Sequence, residues 1–337
     1  MSEFQWAPKQ AYTAEGKLRR VGVELEFAGL APTTIVDAIT GIFGGDGERI
    51  TRFEYIIRNT VAGDFIVELD ANLLKSIAKK EQQYQWPVDS LEGMSIDLLS
   101  QAGEKLVPWE VVSPPIPMAS LGEMNTLVES LRNLGALGTR HSFVYAFGLH
   151  LNQELPDTSC DTLLRYFRSY LCLYDWIAKR EKIDLSRKLT FYIEHFSLDY
   201  IKHVIQPDYA PNLGQLIDDY LSFNPTRNRS LDLLPLFSYL DKKRVRRLIN
   251  DPRIKARPTF HYRLPNCDID NPQWNLQLPW SLWIQVESLA NDPERLKAAC
   301  NDYFRAVQRF TYSLDDHWLQ RVERYLDNNY QYPRTQK

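Results

Sequence analysis

The stretch RRVGVELEFAGL, residues 19–30, restricts the fold more than any other part of the chain. In a strand, residues i and i+2 share a face, so Glu24 and Glu26 project together while Val23, Leu25 and Phe27 point the other way. Alone, this is the pattern of an antiparallel strand with one wet face. Two more apolar stretches repeat the oddity. FIVELD places Glu68 and Asp70 at i and i+2, and PWEVVSPP places Glu110 just before a proline-stopped strand end. An ordinary wet face would mix Lys, Thr, Ser and Gln among the acids, whereas these strands carry acids at their centres. If the three strands are neighbours in one sheet, their carboxylates crowd together. Like charges at short range raise each other's pKa unless a cation neutralises them. Oxygen donors without Cys or paired His suit Mg²⁺ or Mn²⁺ rather than Zn²⁺, and carboxylate-held Mg²⁺ usually shares its remaining positions with water and nucleotide phosphates. The pattern therefore points to phosphoryl chemistry.

The remaining elements set this sheet in an α+β frame. PTTIVDAITGIF has helical spacing, with Thr33 or Thr34 as its expected N-cap. Residues 52–59 and 63–74 read as strands joined by a turn, 104–117 as a strand and 142–152 as another. The glycine-rich GIFGGDGER reads as a linker turn, since it lacks the strand–loop–helix setting of a phosphate loop. From Asp157 to Ile205 the pattern is helical; LGQLIDDYLSF resumes a helix, RPTFHYRL is a late strand, and the end from Pro293 to Tyr330 is helical again. A late strand rejoining an early sheet makes this one unit over residues 1–337, with a helical insertion at 157–250 and a C-terminal helical segment at 293–330.

Composition narrows the function class. The formal net charge of −3 lacks the basic footprint of a nucleic-acid binder. No window approaches the roughly 20 apolar residues of a membrane span, and the N-terminus has no signal-peptide core. The scattered cysteines Cys160, Cys172, Cys267 and Cys300 form no CxxC pair, which fits a reduced, cytoplasmic protein. A homo-oligomer is compatible with all of this. No Walker loop, GxSxG or HExxH is present.

Basic and imidazole residues add the anion-handling half of the pattern. AFGLHLN puts His150 and Asn152 on one strand face, and FHYRL puts His261 and Arg263 in the same relation. An Arg on a carboxylate-lined face can grip phosphate oxygens bidentately, or it can pair with one of the glutamates. NPTRNRS, with Arg227 and Arg229, reads either as a phosphate- or carboxylate-binding loop or as a helix N-terminus capped by Asn228 or Ser230. Capping is the stronger reading, because Asn and Ser are preferred caps.

In order, GVELEF, DFIVELD, WEVVSPPI, FGLHLN and TFHYRL resemble the signature series of the amidoligases, carboxylate–amine ligases with the glutamine synthetase/γ-glutamylcysteine ligase fold. The resemblance runs from about residue 19 to about residue 265 and is similar in detail to one bacterial branch at PTRNRSLDLLPLF and RPTFHYRLPNCDID. It implies a curved, mainly antiparallel sheet with an acidic concave face backed by helices. It implies ATP, Mg²⁺ (or Mn²⁺), and small-molecule or peptide carboxylate and amine substrates. Glu24, Glu26, Glu68 and Glu110 become metal ligands, His150 sits near the phosphates or metal, and Arg263 holds the transferring phosphoryl group. Asp70 or His261 would serve as the base that takes the amine proton. Asn152 stands where the family often has a second His, and His261 where it often has a Glu. Asn152 can still donate to phosphate or coordinate Mg²⁺ through its carbonyl. The rival readings are a kinase or γ-glutamylcysteine-type ligase on the same fold, a non-catalytic nucleotide- or peptide-binding relative, and a metal-dependent hydrolase.

Overall fold

The computed structural model describes residues 5–69, 108–139, 147–183, 194–309 and 317–330. Strand β1, Arg20–Phe27, lies inside a sheet because its odd-numbered side chains need an apolar cover: Val21, Val23, Leu25 and Phe27 are all fully buried. The α1 helix (Pro32–Phe43) follows. Its N-cap is Ala31, with Pro32 in the first turn, so neither Thr33 nor Thr34 caps it. Proline suits that position because its fixed φ is already helical and its missing N–H is not needed there.

Next come β2 (Asp46–Thr51), β3 (Glu54–Thr60) and β4 (Gly63–Leu69). The glycine-rich stretch expected to be a linker turn is a turn at Gly44–Gly45 that leads directly into β2. Gly45 has φ +88, and a Cβ there would lie 2.3 Å from the Arg58 carbonyl oxygen, so the close approach needs glycine. Then follow β5 (Trp109–Val112), β6 (Ile116–Pro117), α2 (Met124–Asn133) and β7 (Leu149–Gln153). Beyond these lie α3 (Cys160–Arg180), α4 (Leu198–Ile205), α5 (Leu213–Phe223), β8 (Leu231–Asp232), α6 (Leu234–Leu240), α7 (Lys242–Leu248) and β9 (His261–Tyr262). The chain closes with α8 (Gln277–Ala290), α9 (Pro293–Val307) and α10 (His317–Val322).

The strands form one curved, open sheet in the order β2-β3-β4-β5-β1-β7-β9-β8, with β6 also pairing β1, and each pairing between these strands is antiparallel. The architecture is α+β, as the alternation of elements implied. Helices cover one face. Tyr170 of α3 and Trp283 of α8 pack on the Tyr262 ring of β9, and Phe43 of α1 packs on Phe65 of β4. The described residues of 157–250 are mostly helical, and the two-residue β8 among them supplies one edge of the sheet.

The NPTRNRS segment does not begin a helix. Strand β8 intervenes, and the N–H of Leu234 at the start of α6 is taken by Asp232 Oδ1 at 2.9 Å, not by Asn228 or Ser230. The late strand is shorter than its alternation suggested. Only His261–Tyr262 is regular, and isolated bridges Glu154↔Thr259 and Gly148↔Asn266 continue the pairing on either side. Pro258 and Pro265 lack the N–H that a continuous ladder requires.

Candidate active site on the acidic sheet face

Sheet register turns separate sequence motifs into one surface. Across four adjacent strands, Glu54 pairs with Glu68, Glu68 with Glu110, and Glu110 with Glu26. Directly opposed residues of an antiparallel pair share a face, so these four carboxylates form a row across the sheet. One step along the strands, Glu24 lies between Val112 on β5 and His150 on β7. Half-buried Ile56, Ile66 and Val112 extend this second row toward the sheet edge, giving an apolar strip beside the acids.

Glu24 is the hub. Its Oε1 accepts from Asn152 Nδ2 at 2.7 Å and from Arg257 Nη2 at 3.3 Å, and its Oε2 meets His150 Nδ1 at 2.9 Å. Glu24, His150, Asn152 and His261 are all buried. Burial alone would raise the Glu24 carboxyl; the surrounding His261, His150 and Arg257 hold it well below the usual carboxylate range. A carboxylate can only accept, so Asn152 presents its NH₂ to Glu24 and its oxygen to His261 Nδ1, 2.7 Å away. Arg257 Nη2 lies 3.1 Å from the same Nδ1, and a guanidinium can only donate, so Asn152 and Arg257 ask opposite roles of this nitrogen. Burial, aided by Arg257, His150 and Arg263, pushes the His261 imidazole well below its ordinary value despite Glu24 beside it.

Glu26 and Glu110 approach His150 as well. Glu26 Oε2 accepts from the Gly148 N–H at 2.6 Å, and Glu26 Oε1 lies 3.4 Å from His150 Nε2. Glu110 Oε1 lies 3.8 Å from His150 Nδ1. Burial pushes the Glu68 carboxyl up; Lys255 pulls it back, while Glu54 and Glu24 push it further. Ligand atoms of Glu26, Glu110 and His150 lie within 4.8 Å of one another, as do those of Glu24, His150 and His261. A cross-strand row of like charges is unfavourable without a counter-ion. An oxygen-rich set of this kind fits a hard divalent cation, with one imidazole nearby.

The structure thus brings together Glu24, Glu26, Glu68, Glu110, His150, Asn152 and His261 on one face. Arg263 follows β9; its N–H bonds to Ser230 O, and its Nη1 donates to the Arg227 carbonyl at 2.7 Å. Arg229 turns elsewhere: Nη1 binds Glu194 Oε2 at 3.1 Å and His195 O at 2.8 Å, and its guanidinium lies over the Phe196 ring. Asp70 lies outside the described residues. Two site residues were missed in the sequence, Glu54 and Arg257. Pairing residues 52–59 with 63–74 across their turn would have set Glu54 opposite Glu68. The late strand's own alternation puts Arg257 in phase with His261 and Arg263.

A family model described as "Putative amidoligase enzyme" matches residues 17–285. No curated protein and no solved structure matches the chain. Among the described residues, no helix is long and apolar enough to cross a membrane.

Proposed function

The chain belongs to the amidoligase family, and on that premise we propose that it is an ATP-dependent ligase joining a carboxylate to an amine through an acyl phosphate. Small molecules or peptides are the substrates, and Mg²⁺ or Mn²⁺ is held on the acidic face. The observation that carries this reading is the meeting of Glu24, Glu26, Glu68 and Glu110 with His150 on one sheet face. When bound, the metal supplies neutralisation of charge on the nucleotide phosphates.

Glu26, Glu68 and Glu110 are the residues that would hold it, with Glu54 ending the row. Glu24 can join them through Oε2, which among the described residues meets His150 alone, while Oε1 accepts from Asn152 and Arg257. Its second task is to fix His150 and Asn152. The chemistry needs activation because a carboxylate is a poor electrophile with no usable leaving group. Attack of a substrate carboxylate oxygen on the γ-phosphorus of ATP releases ADP and leaves an acyl phosphate. The amine then attacks the acyl carbon, loses a proton, and expels phosphate as the amide forms. Arg263, just after β9, offers a guanidinium to a carboxylate of the substrate rather than to the reacting phosphoryl group. His261, beside Glu24 and Asn152 on the acidic face, offers an imidazole to accept the amine proton. The apolar strip of Ile56, Ile66 and Val112 offers a surface for the flat face of a base.

ADP release in the presence of Mg²⁺, a carboxylate pool and an amine pool tests the reading. It should need all three additions and fall to background in Glu26→Gln. ADP release indifferent to the amine would point to a kinase, and product formation without ATP to a hydrolase.

A further inference from the structure

Among the arginines at the β8–β9 edge, Arg227 is the exception. Arg229 is held by Glu194 and the His195 carbonyl, Arg253 by Asp251, Arg257 by Glu24, and Arg263 by the Arg227 carbonyl. The half-buried Arg227 guanidinium has no hydrogen-bond or ion-pair partner among the described residues. The surrounding charge does not explain it. Asp251 already pairs with Arg253 at 2.6 Å. Asp232 is fully buried, with one oxygen on the Leu234 N–H and the other without a partner. Arg263 stands close enough to Arg227 to add repulsion to the cost of burying it. A half-buried cation beside a second cation, with no acceptor of its own, is unfavourable in the free protein and favourable once an anion arrives.

We propose that Arg227, backed by Arg263, is an oxyanion subsite for the carboxylate-bearing substrate, and that this substrate carries a second anionic group besides the one that reacts. The identity of the ligand rests on the ligase reading; the subsite itself rests on the unpaired guanidinium. Nucleotide phosphates are the poorer occupant on distance. The acid row centres on β4 and β5, and β1 and β7 separate β5 from β9. At about 4.8 Å per strand, that puts Arg263 roughly 14 Å from Glu110, with Arg227 reached through it. A ligand spanning the sheet places its reacting carboxylate over the central strands and its other anion at the edge.

Titration calorimetry on the full chain tests this with glutarate, inorganic phosphate, butyrate and Mg·ADP as probes. Wild type should bind glutarate or phosphate, and bind the monoanionic butyrate at least about tenfold more weakly. Binding of glutarate assigns the second group to a carboxylate, and binding of phosphate alone assigns it to a phosphate ester. Arg227→Gln should lower that anion affinity about tenfold or more, with Mg·ADP binding unchanged. Arg227→Lys should recover part of it. Because the side chain bonds to nothing, Tm in Arg227→Gln should stay level or rise. The subsite is overturned if wild type binds no anion, if the variant binds anions equally well, if the loss falls on Mg·ADP, or if Tm drops. None of these measurements needs turnover. Anion binding without ligation would refute the ligase reading alone, and ligation without anion binding would refute the subsite alone.

Discussion

Two buried ionic clusters lie five residues apart, one on β1 and one just before it, and they are built to opposite ends. Arg19, in phase with Val21 and Val23, points to the helix-covered side and meets Glu287 of α8 in a fork, with both N···O distances 2.8 Å. The remaining valences are filled: Arg19 also donates to the carbonyls of Glu154 and Gln10, and Glu287 accepts from Trp283 Nε1 at 2.9 Å. Glu24 points to the other side, where, among the described residues, His150 and Arg257 stand beside Glu24 and His150 also stands beside Glu26 and Glu110. One cluster is closed by its own chain, while the other is, on the proposed reading, completed by a bound cation. The difference teaches that burial of a charge is not by itself a sign of function; incomplete neutralisation is the informative part.

Mutations should separate the two clusters. The largest effect is expected from Glu26→Gln or Glu24→Gln, each of which should abolish ATP turnover, a loss on the order of a thousandfold or about 4 kcal/mol of transition-state stabilisation. The fold should survive, as judged by circular dichroism. Full activity in either variant would remove the metal and nucleotide assignment.

Arg19→Ala should do the reverse, with a stability loss of about 3–5 kcal/mol because Glu287 is left charged and buried. Replacing both partners, as in Arg19→Met with Glu287→Leu, should recover much of that loss. A double variant as unstable as the single one would show that the pair does more than satisfy its own charges.

A third prediction concerns Asp232, which sits between the two kinds of environment. Burial raises its carboxyl to about 6, against the Leu234 N–H bond and the nearby Arg263, Arg227 and Arg257. The folded protein therefore holds this proton more tightly than the unfolded chain, whose aspartate titrates near 3.9. Stability falls as pH rises from about 4 to about 6 and stays reduced above that. Asp232→Asn should thus stabilise the protein at pH 7.5, by at most roughly 3 kcal/mol, and have little effect at pH 4. A Tm difference that is the same at both pH values would contradict the assignment.

The smallest effect is expected from Glu54→Gln at the end of the acid row. Divalent-cation affinity measured with Mn²⁺ should fall only a few-fold, about 1 kcal/mol, and less than in Glu110→Gln. An equal or larger fall would move the centre of the cation site toward β3.

How far the sequence could be read follows from the same contrast between faces. Strand β1 was legible because one of its faces is sealed and the other acidic, which makes its alternation unmistakable. Helix α8 was missed for the opposite reason. Nearly all its residues from Pro279 to Ala290 are buried, so there is no polar face to mark a helical period. Strand β2 escaped because it is an edge with every residue exposed, so its sequence has no apolar side to alternate with. The acids of the site were found as separate i, i+2 pairs, but their order across the sheet depends on register, which pairs Glu110 with both Glu68 and Glu26. Arg229 illustrates the limit of motif proximity. It is two residues from Arg227, yet it is committed to Glu194 and His195.

The central claim is that the open cluster works on a nucleotide and two further substrates. Mass spectrometry of a reaction containing the protein, Mg·ATP and a pool of cellular carboxylates and amines tests it most directly. The account predicts ADP together with a new species whose mass is that of one acid plus one amine less water, and neither product with Glu26→Gln. A phosphorylated metabolite in place of the condensed one, or a condensed product that Glu26→Gln forms equally well, would contradict it.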